Sequence, residues 1–312
     1  MRTCWLLLLV MGCSGGAPLA AKAIELNDQA TAALARGDLE TADARLQVAL
    51  EYHPRFVEAL TNLGLVELER GNFARARTLL ARAKRINPDV AQPHHGLGVL
   101  EERRGRLDRA SRHYQEALAV DPGFAPARAN LARLYYNAGD FERARSQFKR
   151  LTEVAPDEPL GYTGLSDSLV ALGRSGEADV ITERAFALFG ATPELVLQEG
   201  RRRLRHDDAA SAVSLFTLLI ERGDDYAHAA LSWLAVAELA RDRPRYAVSA
   251  AERALDLNPD APVAIYALAL ALHRLNDGAA LKWLERAQAL EPGRTLIEQA
   301  LAARRSEKTS AQ

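Results

Sequence analysis

The stretch VEALTNLGLVELERGNFARARTLLARAKRINPDV, residues 57–90, decides the fold. Its first half sets Leu60, Leu63 and Glu67 on one side of a 3.6-residue period, and its second half does the same with Phe73, Ala76, Leu80 and Ala83. Gly71 stands between the halves, suited to the positive φ at which helices end. Asn87-Pro88 follows the second half, and the proline pushes the residue before it off helical geometry. The stretch therefore reads as two amphipathic helices joined by a tight turn and stopped by a proline.

The same pattern recurs on both sides with a period of 34 residues. Gly37, Gly71, Gly105, Gly139 and Gly173 keep that spacing, as do Pro54, Pro88, Pro122 and Pro156, and Ala42, Ala76, Ala110, Ala144 and Ala178. Gly64 and Gly98 fall inside helices, where glycine costs roughly 1 kcal/mol relative to alanine, so their recurrence implies that a neighbouring backbone needs the space. One hairpin loses on the order of 50 kcal/mol of conformational entropy on ordering, more than a single thin interface offsets. The hairpins must therefore stack on one another.

This spacing resembles the tetratricopeptide repeat. The resemblance covers residues 23 to about 292 and weakens toward the C-terminus, where Gly190 replaces a closing proline and Asp207 stands at a turn. It implies an all-α chain, an α-solenoid of about eight tetratricopeptide helix hairpins forming a right-handed superhelix. The expected units are 23–56, 57–90, 91–124, 125–158, 159–192, 193–227, 228–261 and 262–294. A polar capping helix over 295–305 and a disordered tail over 306–312 complete the expectation. Glu67 and Glu101 occupy a slot where an aromatic residue is commoner in this repeat.

The N-terminus carries a second motif. Trp5 to Met11 is a run of seven apolar residues after Arg2, far below the ~20 needed to cross a bilayer, and it reads as a signal peptide. Val10-Met11-Gly12-Cys13 resembles the bacterial lipobox, which implies a signal peptide over 1–12, acylation of Cys13 and a short tether over 13–22. An ordinary secretory signal cut near Ala20 or Ala21, or an uncleaved anchor, are the alternative readings. Ser14 in place of aspartate after the cysteine implies an outer-membrane lipoprotein facing the periplasm. Ten extended residues span at most ~35 Å, so the first repeat is expected close to the lipid surface.

Composition excludes several functions. Forty basic side chains against 41 acidic ones give no bias toward nucleic acid, and losing Arg2 with the signal leaves 39 against 41. His94-His95 lacks the spacing and the further ligands of a zinc site, and His94 fills a packing slot. Arg201-Arg202-Arg203-Leu204-Arg205 reads as a solvated helix face. No catalytic residue, cofactor site or metal site is expected, hence no enzyme and no small-molecule substrate.

What remains is a groove. In tetratricopeptide superhelices the concave wall comes from the first helix of each hairpin, and the corresponding slots here include Asn27, Asn62, Leu65, Leu68, His95, Val99, Asn130, Arg133, Tyr136 and Asp167. The resemblance implies that Asn62 and Asn130 bind a partner's backbone, Arg133 its carboxylate, and that Leu65, Val99 and Tyr136 form an apolar floor. Trp233, Val236, Leu239, Tyr266 and Leu270 make a greasier stretch, either receiving an amphipathic helix or packed against the terminal one. The Lys and Asn pattern with which heat-shock co-chaperones clamp a C-terminal carboxylate is not present. The lipobox, the tether and the repeats resemble the pilotin-type lipoproteins of type IV pilus systems, which implies a membrane-held scaffold binding an outer-membrane secretin. The alternative is a periplasmic adaptor that recruits peptidoglycan hydrolases or proteases.

Overall fold

Each turn glycine ends a helix where it was expected to, and the reason is visible in the backbone. Gly37 takes φ +74°, its N–H reaches the carbonyl of Leu34, and the Asp38 N–H reaches that of Ala33, which closes the last turn. Asp38 then caps the next helix by accepting from the Thr41 N–H at 3.0 Å, as Asp140 does from Arg143 and Asp208 from Ser211. In the last three hairpins the left-handed residue is Asp207, Asp242 or Asn276 instead of glycine. The C-terminal weakening of the sequence pattern thus changes the residue at the turn while the turn itself is retained.

The computed structural model describes residues 20–223 and 225–310, and among them it contains seventeen helices and no strand. Eight pairs of helices follow in chain order: α1 Ala21–Ala35 and α2 Leu39–Tyr52, α3 Val57–Glu69 and α4 Phe73–Ile86, α5 Ala91–Arg103 and α6 Leu107–Val120, and α7 Ala125–Asn137 and α8 Phe141–Val154. Then come α9 Pro159–Ala171 with α10 Ser175–Phe189, α11 Pro193–Arg205 with α12 Ala209–Arg222, α13 Ala227–Ala240 with α14 Pro244–Leu257, and α15 Pro262–Arg274 with α16 Ala280–Leu290. A last helix, α17, spans Thr295–Ser310. The signal peptide, Cys13 and most of the tether lie outside the described residues.

The chain divides into two compact units, one ending at Leu134 and the other beginning at Tyr135. Within each, every hairpin packs on the next, so that apolar side chains form a run of small cores. Leu26, Leu46, Leu63 and Val66 make one such core in the first unit. Phe216, Val196 and Leu219 make one in the second, and Leu239, Leu268, Leu284, Ile297 and Leu301 another.

The helix-interior glycines have a different cause from the one expected. Gly64, Gly98, Gly164 and Gly200 make room for a bulky side chain of a second helix, whereas Gly161 faces the backbone of Leu151 and Thr152. A Cβ on Gly64 would lie 2.7 Å from Cγ of Leu80, and one on Gly98 would lie 2.4 Å from Cε1 of Tyr114. In the second unit, Cβ atoms on Gly164 and Gly200 would lie 2.3 Å from Cε1 of Phe148 and Phe216. Where the fifth hairpin has serine in the glycine slot, the bulky partner has shrunk to match. Ser166 and Thr182 are both buried, with their hydroxyls 2.9 Å apart.

The terminal helix differs from the expectation in length and in character. Ile297, Ala300 and Leu301 are buried against α15 and α16, so one face of α17 is apolar. Arg304 donates to Asn276 Oδ1 and to the His273 carbonyl, which pins the helix near its middle. Extending an existing helix is far easier than starting one, and α17 continues past Arg305 to Ser310, over residues expected to be disordered.

Candidate functional site: the first-helix ladder

A 34-residue repeat stacks equivalent slots of successive first helices side by side, so slot residues meet their counterparts one period away. In the first unit, Asn62 Nδ2 donates to Asn27 Oδ1 at 2.9 Å, and Asn130 Nδ2 lies 3.0 Å from His95 Nε2. Arg103 reaches back across α3, donating to the Leu68 carbonyl at 2.9 Å and pairing with Glu69. Asn62 and Asn130, expected to bind a partner's backbone, already bond to the preceding repeat.

His95 anchors the densest part of this ladder. Its ring sits 5.7 Å from that of Tyr114 and 5.5 Å from Phe124, and burial lowers its pKa to about 4 despite the opposing pull of Glu102. Glu102 accepts from the Tyr114 hydroxyl at 2.7 Å and from Arg133 at 2.6 Å. Burial and the Glu102 bond both push the Tyr114 hydroxyl pKa up. Arg133, expected to take a partner's carboxylate, is thus paired with a carboxylate of its own chain, though half of its side chain remains exposed.

The three residues expected on the apolar floor lie in two places. Leu65 and Val99 are half-buried and line one trough of about 580 Å³ together with Leu34, Leu39 and Glu69. Leu68, expected on the same wall, is only 1% exposed and belongs to the core. Tyr136 belongs to the second unit, where its ring packs edge-on against Phe141 at 5.4 Å. Its pKa is raised by burial and by Asp167, with Arg201 acting against them.

In the second unit the ladder becomes ionic. Arg201 pairs with Asp167 at 2.7 Å and lies over the Trp233 ring at 5.1 Å. The arginine cluster around it is not the solvated face that was expected. Arg201 and Arg202 are one-fifth exposed, Arg202 bridges Glu183, Glu199 and Asp179, and Arg205 and His206 also converge on Asp179. These arginines tie α11 to α10 and α9. Val236, Tyr266 and Leu270 pack against the core that also holds Ile297 and Leu301, and Arg294 covers the Tyr266 ring at 4.3 Å.

Sequence reasoning missed Glu102, Tyr114 and Asp179. Reading slots in pairs one period apart would have shown the complementary Asp167 and Arg201. His94 is 6% exposed and bonds to the Pro88 carbonyl and Glu116, which is a packing role. Among the described residues no three His, Cys, Asp or Glu side chains group as a metal site, and no helix is long and apolar enough to cross a membrane.

Known proteins agree with this geometry. Tetratricopeptide repeat models match residues 27–91 and 103–167. A chain of the APC/C hetero-tetramer Cut9–Hcn1 superposes on 89% of this chain with a TM-score of 0.68 at 20% identity. This chain spans about half of that one, 55% of its length. Pseudomonas aeruginosa pilF aligns over 67% of this chain and 94% of its own, with a TM-score of 0.55 at 20% identity. PilW, a widely conserved type IV pilus biogenesis factor, aligns over 65% and 94%, also with a TM-score of 0.55 at 20% identity. At such identities the likeness is one of fold. No curated protein matches the chain in sequence. Residues 27–91 and 103–167 are tetratricopeptide repeats, and the chain has the helical-repeat fold of that family, a fold of protein-interaction scaffolds.

Proposed function

We propose that this protein is a lipid-anchored, non-enzymatic scaffold of a bacterial cell envelope that helps assemble an outer-membrane complex such as a type IV pilus secretin. The observation that carries the reading is the stack of first helices in the first unit, which keeps Leu65 and Val99 partly exposed along one trough. A rigid wall with an apolar floor and polar edges suits an extended or helical partner segment. The lipobox ending at Cys13 supports membrane attachment, since a diacylated cysteine anchors a chain stably where one acyl chain would not. The fold shared with pilF and PilW supports the pilus assignment. Deleting the gene should leave secretin monomers unassembled and abolish twitching, and normal secretin multimers in the deletion strain would exclude this role.

One observation favours the second reading, an adaptor that brings peptidoglycan hydrolases or proteases to their substrate. The array extends well beyond pilF, which accounts for two thirds of it. Altered wall turnover with normal pili would favour the adaptor.

A further inference from the structure

Two repeats apart, two of four equivalent slots hold different chemistry. In the third hairpin, Glu101 on α5 is 5% exposed and is gripped by Arg77 from α4 at 2.7 Å and by Arg106 at 3.3 Å. A second cluster lies about two turns back along α5, at His94, where Glu116 of α6 gathers Lys84, His94 and His113 within 3.1 Å. In this hairpin, carboxylates of the chain itself thus engage the cationic and imidazole side chains of α4, α5 and α6.

Moving on by two periods of 34, the slots of Arg77 and Arg106 again hold arginine, Arg145 and Arg174. The slot of the gripped carboxylate holds Leu169, and the slot of Glu116 holds Arg184. Arg145 and Arg174 turn to Glu142 and Glu177 on their own helices, pairs three residues apart at the surface. Between α8 and α10 an open trough of about 570 Å³ remains, floored by Tyr162, Leu165 and Leu169. Ile181 and the 63% exposed Val180 form its wall. Lys149 and Arg184 stand on its rim without an ion pair, against the single unpaired carboxylate of Glu153.

We infer that this trough is a second docking surface, separate from the first-helix wall, and that its occupant is an acidic amphipathic helix of a partner protein. The third hairpin displays the complement. A carboxylate seated over Leu169 would meet Arg145 and Arg174 in the slots from which Arg77 and Arg106 hold Glu101. Apolar side chains one helical turn away would cover Val180 and Ile181 and remove them from water. Lys149 and Arg184 would face further acidic residues on the flank of the incoming helix. The partner thus supplies what Glu101 and Glu116 supply in the third hairpin.

The test uses two synthetic 16-residue helical peptides with leucine at i, i+3, i+4 and i+7, one flanked by glutamates and the other by lysines. Binding to the full chain is read by fluorescence anisotropy. The acidic peptide should bind at least ten-fold more tightly than the basic one. The double change R145A/R174A and the single change V180D should each weaken it at least ten-fold. Leu169→Glu should also abolish binding, because it rebuilds the internal carboxylate of the third hairpin. Melting curves identify any variant that fails to fold, and V180D, at an exposed site, keeps the test decisive if Leu169→Glu unfolds. Leu65→Ser, on the first-helix wall, should leave this binding unchanged, which separates a failure here from a failure of the scaffold reading. Equal binding of both peptides, or acidic binding indifferent to R145A/R174A and V180D, would overturn the inference. So would dimerisation of the free protein that V180D abolishes, or displacement of the peptide by dodecanoate, since a second copy or an acyl chain would then be the occupant.

Discussion

Gly98 lies against the Tyr114 ring so closely that a single added methyl would stand 2.4 Å from its Cε1. The ring is fully buried and its hydroxyl is held by Glu102, so it has no route of escape. Gly98→Ala should therefore destabilise the first unit by about 1–3 kcal/mol through overpacking. Gly176, on α10 with open space around it, is the opposite case, and Gly176→Ala should stabilise by about 0.5–1 kcal/mol. Urea unfolding of both variants checks the pair, and equal effects of the same sign would contradict the packing argument.

The turn residues offer a second comparison. Asp242 holds φ +56°, where Gly105 holds φ +71° in an equivalent turn. A side chain in the left-handed region costs roughly 1 kcal/mol, less for Asp and Asn than for other residues. Asp242→Gly should raise the melting temperature slightly, and Gly105→Ala should lower it by the equivalent of about 1 kcal/mol. Calorimetry of the two variants reads the difference directly.

Stability should depend on pH through His95. Its folded pKa lies at about 4 against an ordinary 6.5, because burial between Tyr114 and Phe124 disfavours the charged ring. Below about pH 6.5 the unfolded imidazole takes up a proton that the folded one refuses until about pH 4, so the unfolded state binds more protons across that window. The contribution of neutral His95, up to about 3 kcal/mol, is present above pH 6.5 and lost as the pH falls to 4. Protonation also removes the acceptor used by Asn130. Melting curves from pH 7 to pH 4 on the native chain and on His95→Gln should converge at the acid end.

Asp179 gathers Arg205 at 2.9 Å, His206 at 2.6 Å and Arg202 at 3.5 Å. Their hydrogen bonds and charges outweigh its partial burial and hold its pKa below the usual carboxylate value. Asp179→Ala removes the shared partner of Arg205 and His206, while Arg202 keeps Glu183 and Glu199, and should cost about 1–2 kcal/mol, part of it recoverable in the double change with Arg205→Ala. A double-mutant cycle followed by urea unfolding measures the coupling, and strict additivity would show that the arginines are solvated independently.

For the scaffold reading, Leu65→Ser with Val99→Ser should weaken partner capture while leaving the helical content intact, because both side chains are partly exposed on the trough. Co-purification of the secretin with the native chain and with the double variant, alongside circular dichroism, tests this. Retained capture would move the binding surface elsewhere.

The hairpin order, the turn positions and the stacking were legible in the sequence because they depend on local signals repeated many times. A glycine or proline every 34 residues declares a helix end whatever surrounds it, and repetition turns a weak local preference into a firm one. Tertiary structure alone decided what each slot residue touches. Gly98 and Tyr114 meet only when their hairpin closes, and Asp167 and Arg201, or Glu101 and Arg77, only when one hairpin stacks on the next. The arginines of α11 looked solvated because charge is usually exposed, and they proved to be ties because carboxylates of α9 and α10 lie within reach. Periodicity specifies which faces meet; the energy of an ion pair or a close contact depends on distance and burial, and those exist only in the folded chain.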